Sequence, residues 1–302
     1  MEGWIRVGLG EDAALSKGGP APGPGSLEIP GSPAGHGRGG ALAHAAPALR
    51  GAVARAAESA FELLSPTRCC GCERLGQLVC DRCLGELALI DPAHACLRCG
   101  APYGDIVCTE CAGDGAADEP RTGGTDDAAI ARCLAMATYE GPLPRIVRAY
   151  KDAGERRLAR LLAEMLLDCA LHAELAAPER YGGILSTADA VCFVPATAAA
   201  FRRRGFDHME QVARPLAEMA GVPLDDVLLK HGARDQRAYG RAGRRAAAQG
   251  LYEAVHGLEG VRVLLVDDVV TTGATMGAAA GALRRAGAVR VDALALARVW
   301  GG

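Results

Sequence analysis

The stretch VLLVDDVVTTGATM, residues 263–276, sets a run of strand-forming residues directly before two adjacent carboxylates, a threonine-rich turn and a glycine. If the strand is parallel to its neighbours, residues 263–266 bring the chain to the C-terminal edge of a sheet, where ligands bind in open α/β folds. Asp267 and Asp268 then face a crevice, as acids able to hold ribose hydroxyls directly or through a hydrated magnesium ion. The following TTGAT opens a helix, whose first N–H groups, hydroxyls and positive dipole end make a seat for phosphate. Gly273 lets the backbone approach closely. The order, acids for a sugar and then amides for its phosphate, reads as a ribose-5-phosphate clamp. Competing phosphate motifs fail, since the chain has no GxxxxGK[ST] and no GxGxxG after a strand.

The surrounding chain supports a parallel sheet. IARCLAMATYE reads as a strand, PRIVRAYKDAG as a short helix, and RRLARLLAEMLLDCALHAEL has the apolar spacing of a longer one. ADAVCFVP is a buried strand, QVARPLAEMAG a helix ended by Gly221, VRVLLVDD a strand, TMGAAAGALRRAGA a helix and VRVDALALARVW a last strand. Strands alternating with helices predict an α/β fold with a parallel, Rossmann-like sheet covered on both faces.

At 302 residues, half of them apolar, the chain can bury a full-sized core, and its length suggests about two domains. The formal charge of −3 and the absence of any apolar run near the ~20 residues of a membrane span announce neither membrane insertion nor bulk attraction to polyanions. The N-terminus lacks the basic start and apolar run of a secretory signal, so the expected location is cytoplasmic. Thirty of the 33 basic residues are arginine; the lysines are Lys17, Lys151 and Lys230.

Twelve cysteines without an export signal point to metal ligation rather than disulfides. Ten of the twelve fall between positions 69 and 133, and eight of them form four CxxC pairs: Cys69 with Cys72, Cys80 with Cys83, Cys96 with Cys99, and Cys108 with Cys111. The simplest grouping joins successive pairs into two four-thiolate zinc sites, each CxxC turn offering two ligands to one ion. Gly100 suits such a turn. So small a block has little core of its own, so zinc binding would be folding energy. Cys133, Cys169 and Cys192 read as packed thiols, and Cys70 as a possible substitute ligand.

Residues 1–58 read as a disordered Gly/Pro/Ala-rich tail, either functional or a start-site artefact; 18 of the first 50 residues are Gly or Pro. Residues 59–112 then form a double zinc ribbon, 113–129 a linker, and 130–302 the α/β domain.

The 263–276 stretch resembles the phosphoribosyl-pyrophosphate motif of type I phosphoribosyltransferases. The order of zinc ribbons, YKDAG, FVP, RRRGFDHMEQVA and VLLVDDVVTTGATM is similar to the ComF family, which includes GntX-like proteins, from Phe61 to the end. The resemblance implies a type I phosphoribosyltransferase core behind the ribbons. Asp267 and Asp268 would hold ribose hydroxyls and magnesium, as the catalytic pair. Thr271, Thr272, Gly273, Ala274 and Thr275 would seat the 5-phosphate, the loop from Pro195 the pyrophosphate, and Arg204 and Lys151 would bind the anion. The chain departs from the family's RGFNQ signature by placing Asp207 and His208 where two amides are usual; His208 reads as a surface histidine, with an acid–base role as the alternative. Gln236 and Arg244 match positions in a mobile hood, where the customary Asn is Ala247.

Three functions follow as expectations. The first is a phosphoribosyltransferase that takes phosphoribosyl pyrophosphate with magnesium and releases pyrophosphate, linked through the family to DNA uptake (competence) or DNA metabolism. The second is a non-catalytic adaptor that binds single-stranded DNA and DNA-uptake proteins, favoured by ten basic against six acidic residues in 195–245. The third is nucleobase salvage.

Overall fold

The computed structural model describes residues 66–103, 107–108, 111, 129–231 and 251–300. The N-terminal tail, nearly all of the linker and the hood residues Gln236, Arg244 and Ala247 lie outside these.

The central sheet has four parallel strands in the order β1-β6-β5-β2: β1 Arg132–Thr138, β2 Ala190–Phe193, β5 Arg262–Val270 and β6 Arg290–Arg298. Strands β1 and β6 are buried almost throughout, as expected of strands covered on both faces. A two-stranded antiparallel hairpin, β3 Leu228–Lys230 with β4 Tyr252–Ala254, stands apart from the sheet pairing.

Helix α1, Asp81–Gly85, lies in the cysteine block; helix α2, Leu143–Lys151, follows β1 and buries Leu143, Ile146, Val147 and Tyr150 along one stripe. Helix α3, Leu158–Ala176, and the short α4, Pro178–Tyr181, lead into β2. After β2 come α5, Ala198–Arg204, and α6, His208–Ala220, the latter started by Asp207 and stopped by Gly221 in the left-handed region (φ 68°). Helix α7, Ala274–Arg285, joins β5 to β6.

The chain steps from β1 to β2, and from β2 to a further parallel bridge at Leu224, in one direction across the sheet; β5 to β6 steps back the other way. Right-handed crossovers put helices from opposite steps on opposite faces. Accordingly, α3 and α6 pack together on one face while α7 packs with the β3–β4 hairpin on the other. The strands β2 and β5 are neighbours whose following helices leave on opposite faces, so a crevice opens between their C-terminal ends.

Strand β5 runs further than the sequence reading placed it. Pairing with β6 continues through Asp267↔Ala295 to Val270↔Arg298, so the two aspartates sit within the strand, whereas β2 stops at Phe193↔Val266. Past that step β5 has lost its neighbour on the β2 side, and the space beside Asp268 is open to side chains from other elements.

The cysteine block packs directly on the free edge of β1. Ile90 donates its N–H to Met136 O, Thr138 to Ala88 O and Cys133 to Leu97 O. Gly100, at φ +69°, lies so close to β1 that a Cβ there would stand 2.9 Å from the Ala135 Cβ. Cys69, Cys80 and Cys83 share the main hydrophobic core with the sheet.

Candidate functional site

Asp267 and Asp268 are 7% and 5% exposed at the open step of β5. Asp268 accepts two charged or polar partners on Oδ2: Lys151 Nζ from the end of α2, and His208 Nε2 at 3.0 Å from the first turn of α6. Arg204 NH1 stands 3.3 Å from His208 Nδ1. A guanidinium has no acceptor, so Nδ1 takes the proton-free role and Nε2–H donates to Asp268. The imidazole is thereby set between an arginine and a carboxylate. His208 is 5% exposed, so the reading as a surface histidine is corrected: the end of β2 leaves room beside Asp268, and the α6 start fills it.

Asp207 has a different task. One oxygen accepts from Met209 N (2.9 Å) and Glu210 N to cap α6, while the other accepts from Ala196 N at 2.6 Å in the loop after β2. It ties that loop to the helix carrying His208. Tyr150 Oη donates to His208 O, which fastens α6 to α2. The Phe206 ring beneath Arg156 (4.2 Å) packs beside it.

The two aspartates are electrostatically unequal. Burial raises Asp267, and the charge of Asp268 adds to that, pushing it up to about 8. Burial works to raise Asp268 as well, but the His208 hydrogen bond and the Lys151 charge outweigh it and hold that carboxyl well below the usual range. At neutral pH the pair therefore holds one firmly ionised and one mostly protonated carboxyl.

The hairpin adds two residues that sequence reasoning missed. Lys230 lies 5.1 Å from the Tyr252 ring, and burial lowers its pKa against the fields of Asp267, Asp207 and Asp268. Tyr252 is 2% exposed and its hydroxyl has no hydrogen-bond partner among the described residues. Two of the chain's three lysines thus sit at the acid pair, and their scarcity in the sequence is the signal that marks them.

Thr271, Thr272, Gly273, Ala274 and Thr275 follow β5 and lead into α7. Gly273 is in the left-handed region (φ 74°), and Thr272 Oγ1 accepts from Ala274 N at 3.4 Å. Arg204 is 9% exposed at its side chain; its NH2 stands 3.7 Å from Asp152 Oδ1, and among the described residues its Nε has no hydrogen-bond partner. An acid pair, guanidinium and ammonium cations and a glycine-containing turn that opens a helix are thus gathered at one end of the sheet, a donor set with the chemistry to bind an anion.

The eight CxxC cysteines form two clusters, Cys69, Cys72, Cys80, Cys83 and Cys96, Cys99, Cys108, Cys111, with sulfurs within 4.8 Å of one another. Individual separations are 3.7 Å for Cys69–Cys83, 3.5 Å for Cys72–Cys80 and 3.6 Å for Cys99–Cys108. Tetrahedral zinc with bonds of about 2.3 Å spaces its sulfurs by ~3.8 Å, so both clusters could hold zinc. The ribbons repeat one device: Cys80 N donates to Cys69 Sγ (3.3 Å) and Cys108 N to Cys96 Sγ (3.2 Å). In the second cluster the Cys99 thiol, by its hydrogen bond, brings Cys96 down to about 4, and Cys99 is itself raised. Four thiolates cannot share that volume without a cation. Cys70 lies outside both clusters, and Cys133, Cys169 and Cys192 are buried in the core.

The stretch carrying Arg204, His208, the aspartates and the phosphate loop matches a protein-family model, "Phosphoribosyl transferase domain", over residues 199–299. That third of the chain is similar to a phosphoribosyl transferase domain. The β1 strand, Lys151 and both cysteine clusters lie before the matched segment. DNA utilization protein YhgH of Salmonella typhimurium (strain LT2) is 28% identical over 169 residues, covering 55% of this chain and 72% of that protein; its counterpart in Escherichia coli (strain K12) matches with the same figures. This homology, with the domain and the paired cysteine clusters, bears out the resemblance to the ComF family. Among solved structures, glutamine phosphoribosylpyrophosphate amidotransferase from B. subtilis, complexed with ADP and GMP, is 25% identical with a TM-score of 0.31, covering 46% of this chain and 26% of that one. A structure of the allosteric regulatory enzyme of purine biosynthesis is 26% identical with a TM-score of 0.30, covering 46% and 25%. This chain therefore spans about a quarter of either structure. No helix among the described residues is long and apolar enough to cross a membrane.

Proposed function

We propose that this phosphoribosyl transferase domain binds phosphoribosyl pyrophosphate with magnesium between the ends of β5 and β2, in a ComF-like protein serving DNA uptake or DNA metabolism. One observation carries the reading: a buried acid pair, polarised by His208 and Lys151, sits immediately before a glycine-containing turn that opens a helix. Asp267 and Asp268 would hold the ribose hydroxyls and the metal. The amides and hydroxyls of residues 271–275 would hold the 5-phosphate, and Arg204 with Lys151 the pyrophosphate. Bound magnesium would supply charge neutralisation on the pyrophosphate. In a transfer to a nitrogenous acceptor, negative charge grows on the departing pyrophosphate, and the cations of Arg204, Lys151 and Lys230 stand where they oppose it. Two zinc ions in the ribbons would be structural.

A second reading, a single-stranded DNA adaptor, draws on a groove of about 640 Å³ lined by Arg156, Arg157, Arg160, Arg214, Phe201 and Phe206 among others. Phosphate contacts and stacking on Phe201, which is 48% exposed, are the chemistry such a strand would use. Three of those arginines are already paired with Glu155, Glu164 and Glu210, which favours the first reading.

Calorimetric titration of the zinc-loaded chain separates the two. Saturable binding of phosphoribosyl pyrophosphate that requires magnesium, and its loss in Asp267→Asn/Asp268→Asn with an unchanged far-UV spectrum, is the expected result. Undiminished affinity in the double variant would sink the site assignment, and binding of single-stranded DNA alone would favour the adaptor.

A further inference from the structure

Arg298, the last residue of β6, is 3% exposed and bridges two parts of the molecule that are 27 and 199 residues away in sequence. Its NH1 donates to Thr271 O at 2.5 Å and to Val299 O; its NH2 donates to Cys99 Sγ at 3.8 Å. Trp300 lies 5.7 Å from the same guanidinium and packs against the second cysteine cluster. The backbone around it is pinned on both sides, by Tyr139 N to Arg298 O and by Val299 N to Val270 O.

We infer that the second cysteine cluster and the phosphate loop form one coupled unit, with Arg298 as the positioning residue that joins them. This rests on the proposed reading of residues 271–275 as a phosphate seat. A trans peptide holds its C=O and the next residue's N–H antiparallel. By gripping Thr271 O from the protein interior, Arg298 turns the Thr272 N–H the opposite way, outward from the core, the orientation a bound phosphate needs. The other end of the planar fork rests on Cys99. Metal-loaded, four thiolates around zinc carry net negative charge, and a nearby guanidinium is drawn to them. Stripped of metal and protonated, the same thiols offer a much weaker acceptor, and the NH2 end of the fork loses its hold on Cys99. Occupancy of the second cluster therefore biases the peptide orientation at Thr271, and by thermodynamic reciprocity a ligand on the loop tightens the metal. The first cluster has no such link among the described residues: its sulfurs pack into the core beneath β1.

Hydrogen exchange of the full chain tests the coupling without any ligand. Cys108→Ser, which breaks the second cluster, and Arg298→Lys, which keeps the charge but not the fork, should each speed exchange severalfold at the hydrogen-bonded amides that bracket the loop, Val299 on Val270 O and Gly277 on Gly273 O. The double variant should go no further than either single one, and Cys72→Ser, which breaks the first cluster, should leave those amides unchanged. Unaltered exchange in Cys108→Ser, additive effects, or an equal response to Cys72→Ser would overturn the coupling. With cobalt in place of zinc, magnesium phosphoribosyl pyrophosphate should shift the thiolate charge-transfer band in the wild type and not in Arg298→Lys. A wild-type protein that binds the sugar without any shift counts against the link. A wild type that fails to bind the sugar refutes the functional reading instead, and the exchange arms still decide the coupling.

Discussion

His208 Nε2 and Asp268 Oδ2 are 3.0 Å apart, with Arg204 on the far nitrogen of the ring and Lys151 on the same carboxylate oxygen. The imidazole carries its proton toward Asp268 and thereby keeps the acid ionised inside the protein. His208→Ala should weaken binding of magnesium phosphoribosyl pyrophosphate about tenfold or more, since a hydrogen bond to a charged group is worth about 1.5–3 kcal/mol. His208→Gln restores an N–H donor and should retain most of the affinity. Calorimetry compares the three; equal losses in Gln and Ala would show that more than donation is asked of the ring.

The acid pair makes opposite contributions to pH dependence. Asp267, raised from 3.8 to about 8, binds a proton in the folded state that the unfolded chain has released. Its contribution to stability is full below about 3.8 and declines as pH rises through about 8. Asp268 is depressed, so its contribution is present above its unfolded value and is lost only in acid. Between pH 5 and 8 the Asp267 effect stands alone of the two, and the urea stability of the ligand-free protein should fall across that window, with Asp267→Asn flattening the fall. Metal binding at the pair should also expel up to about one proton near neutral pH, read as a buffer-dependent binding enthalpy. Identical enthalpies in buffers of different ionisation heat would contradict it.

Much of this site was legible in the chain because its signals are local. The CxxC spacing gathered the eight sulfurs, and the apolar run followed by acids, threonines and glycine marked the end of β5. What was not legible depends on elements meeting at a distance. That His208 is buried follows from β2 ending one step before Asp267, a matter of relative strand length that neither strand encodes by itself. The β3–β4 hairpin consists of two three-residue strands 21 residues apart, too short for any period to show, so Lys230 and Tyr252 went unplaced. Asp207 departs from the family's amide, yet it turns out to cap α6 and hold Ala196 N, a role for which a carboxylate serves as well as an amide.

Gly273 tests the phosphate seat by backbone shape alone. At φ 74° it starts α7, and nothing lies within 4 Å of where its Cβ would be, so a substitution meets only conformational strain. Gly273→Val should cost roughly 1–2 kcal/mol or distort the turn, whereas Gly273→Asn, which tolerates the left-handed region, should be milder. Thermal melts should rank them in that order, and affinity for the sugar phosphate should fall more for Val than for Asn. Equal behaviour would mean that the turn rearranges freely.

Zinc removal probes how the ribbons and the sheet share an edge. The amides of Cys133 and Thr138 point away from β6 and donate to Leu97 O and Ala88 O in the cysteine block. Zinc held by the two clusters would supply the folding energy of so small a block, so chelation should release those two amides together with the cysteine block. Strand β5, flanked by β6 and β2, has its partners inside the sheet, so Leu264 and Leu265 should keep their protection. Site-resolved exchange before and after chelation gives the answer. Loss of protection at Cys133 and Thr138 with retention in β5 marks the ribbons as an edge cover on a self-standing sheet. Simultaneous loss in β5 would mean that the two fold as one cooperative unit and that the cores they share around Cys83 and Met136 are inseparable.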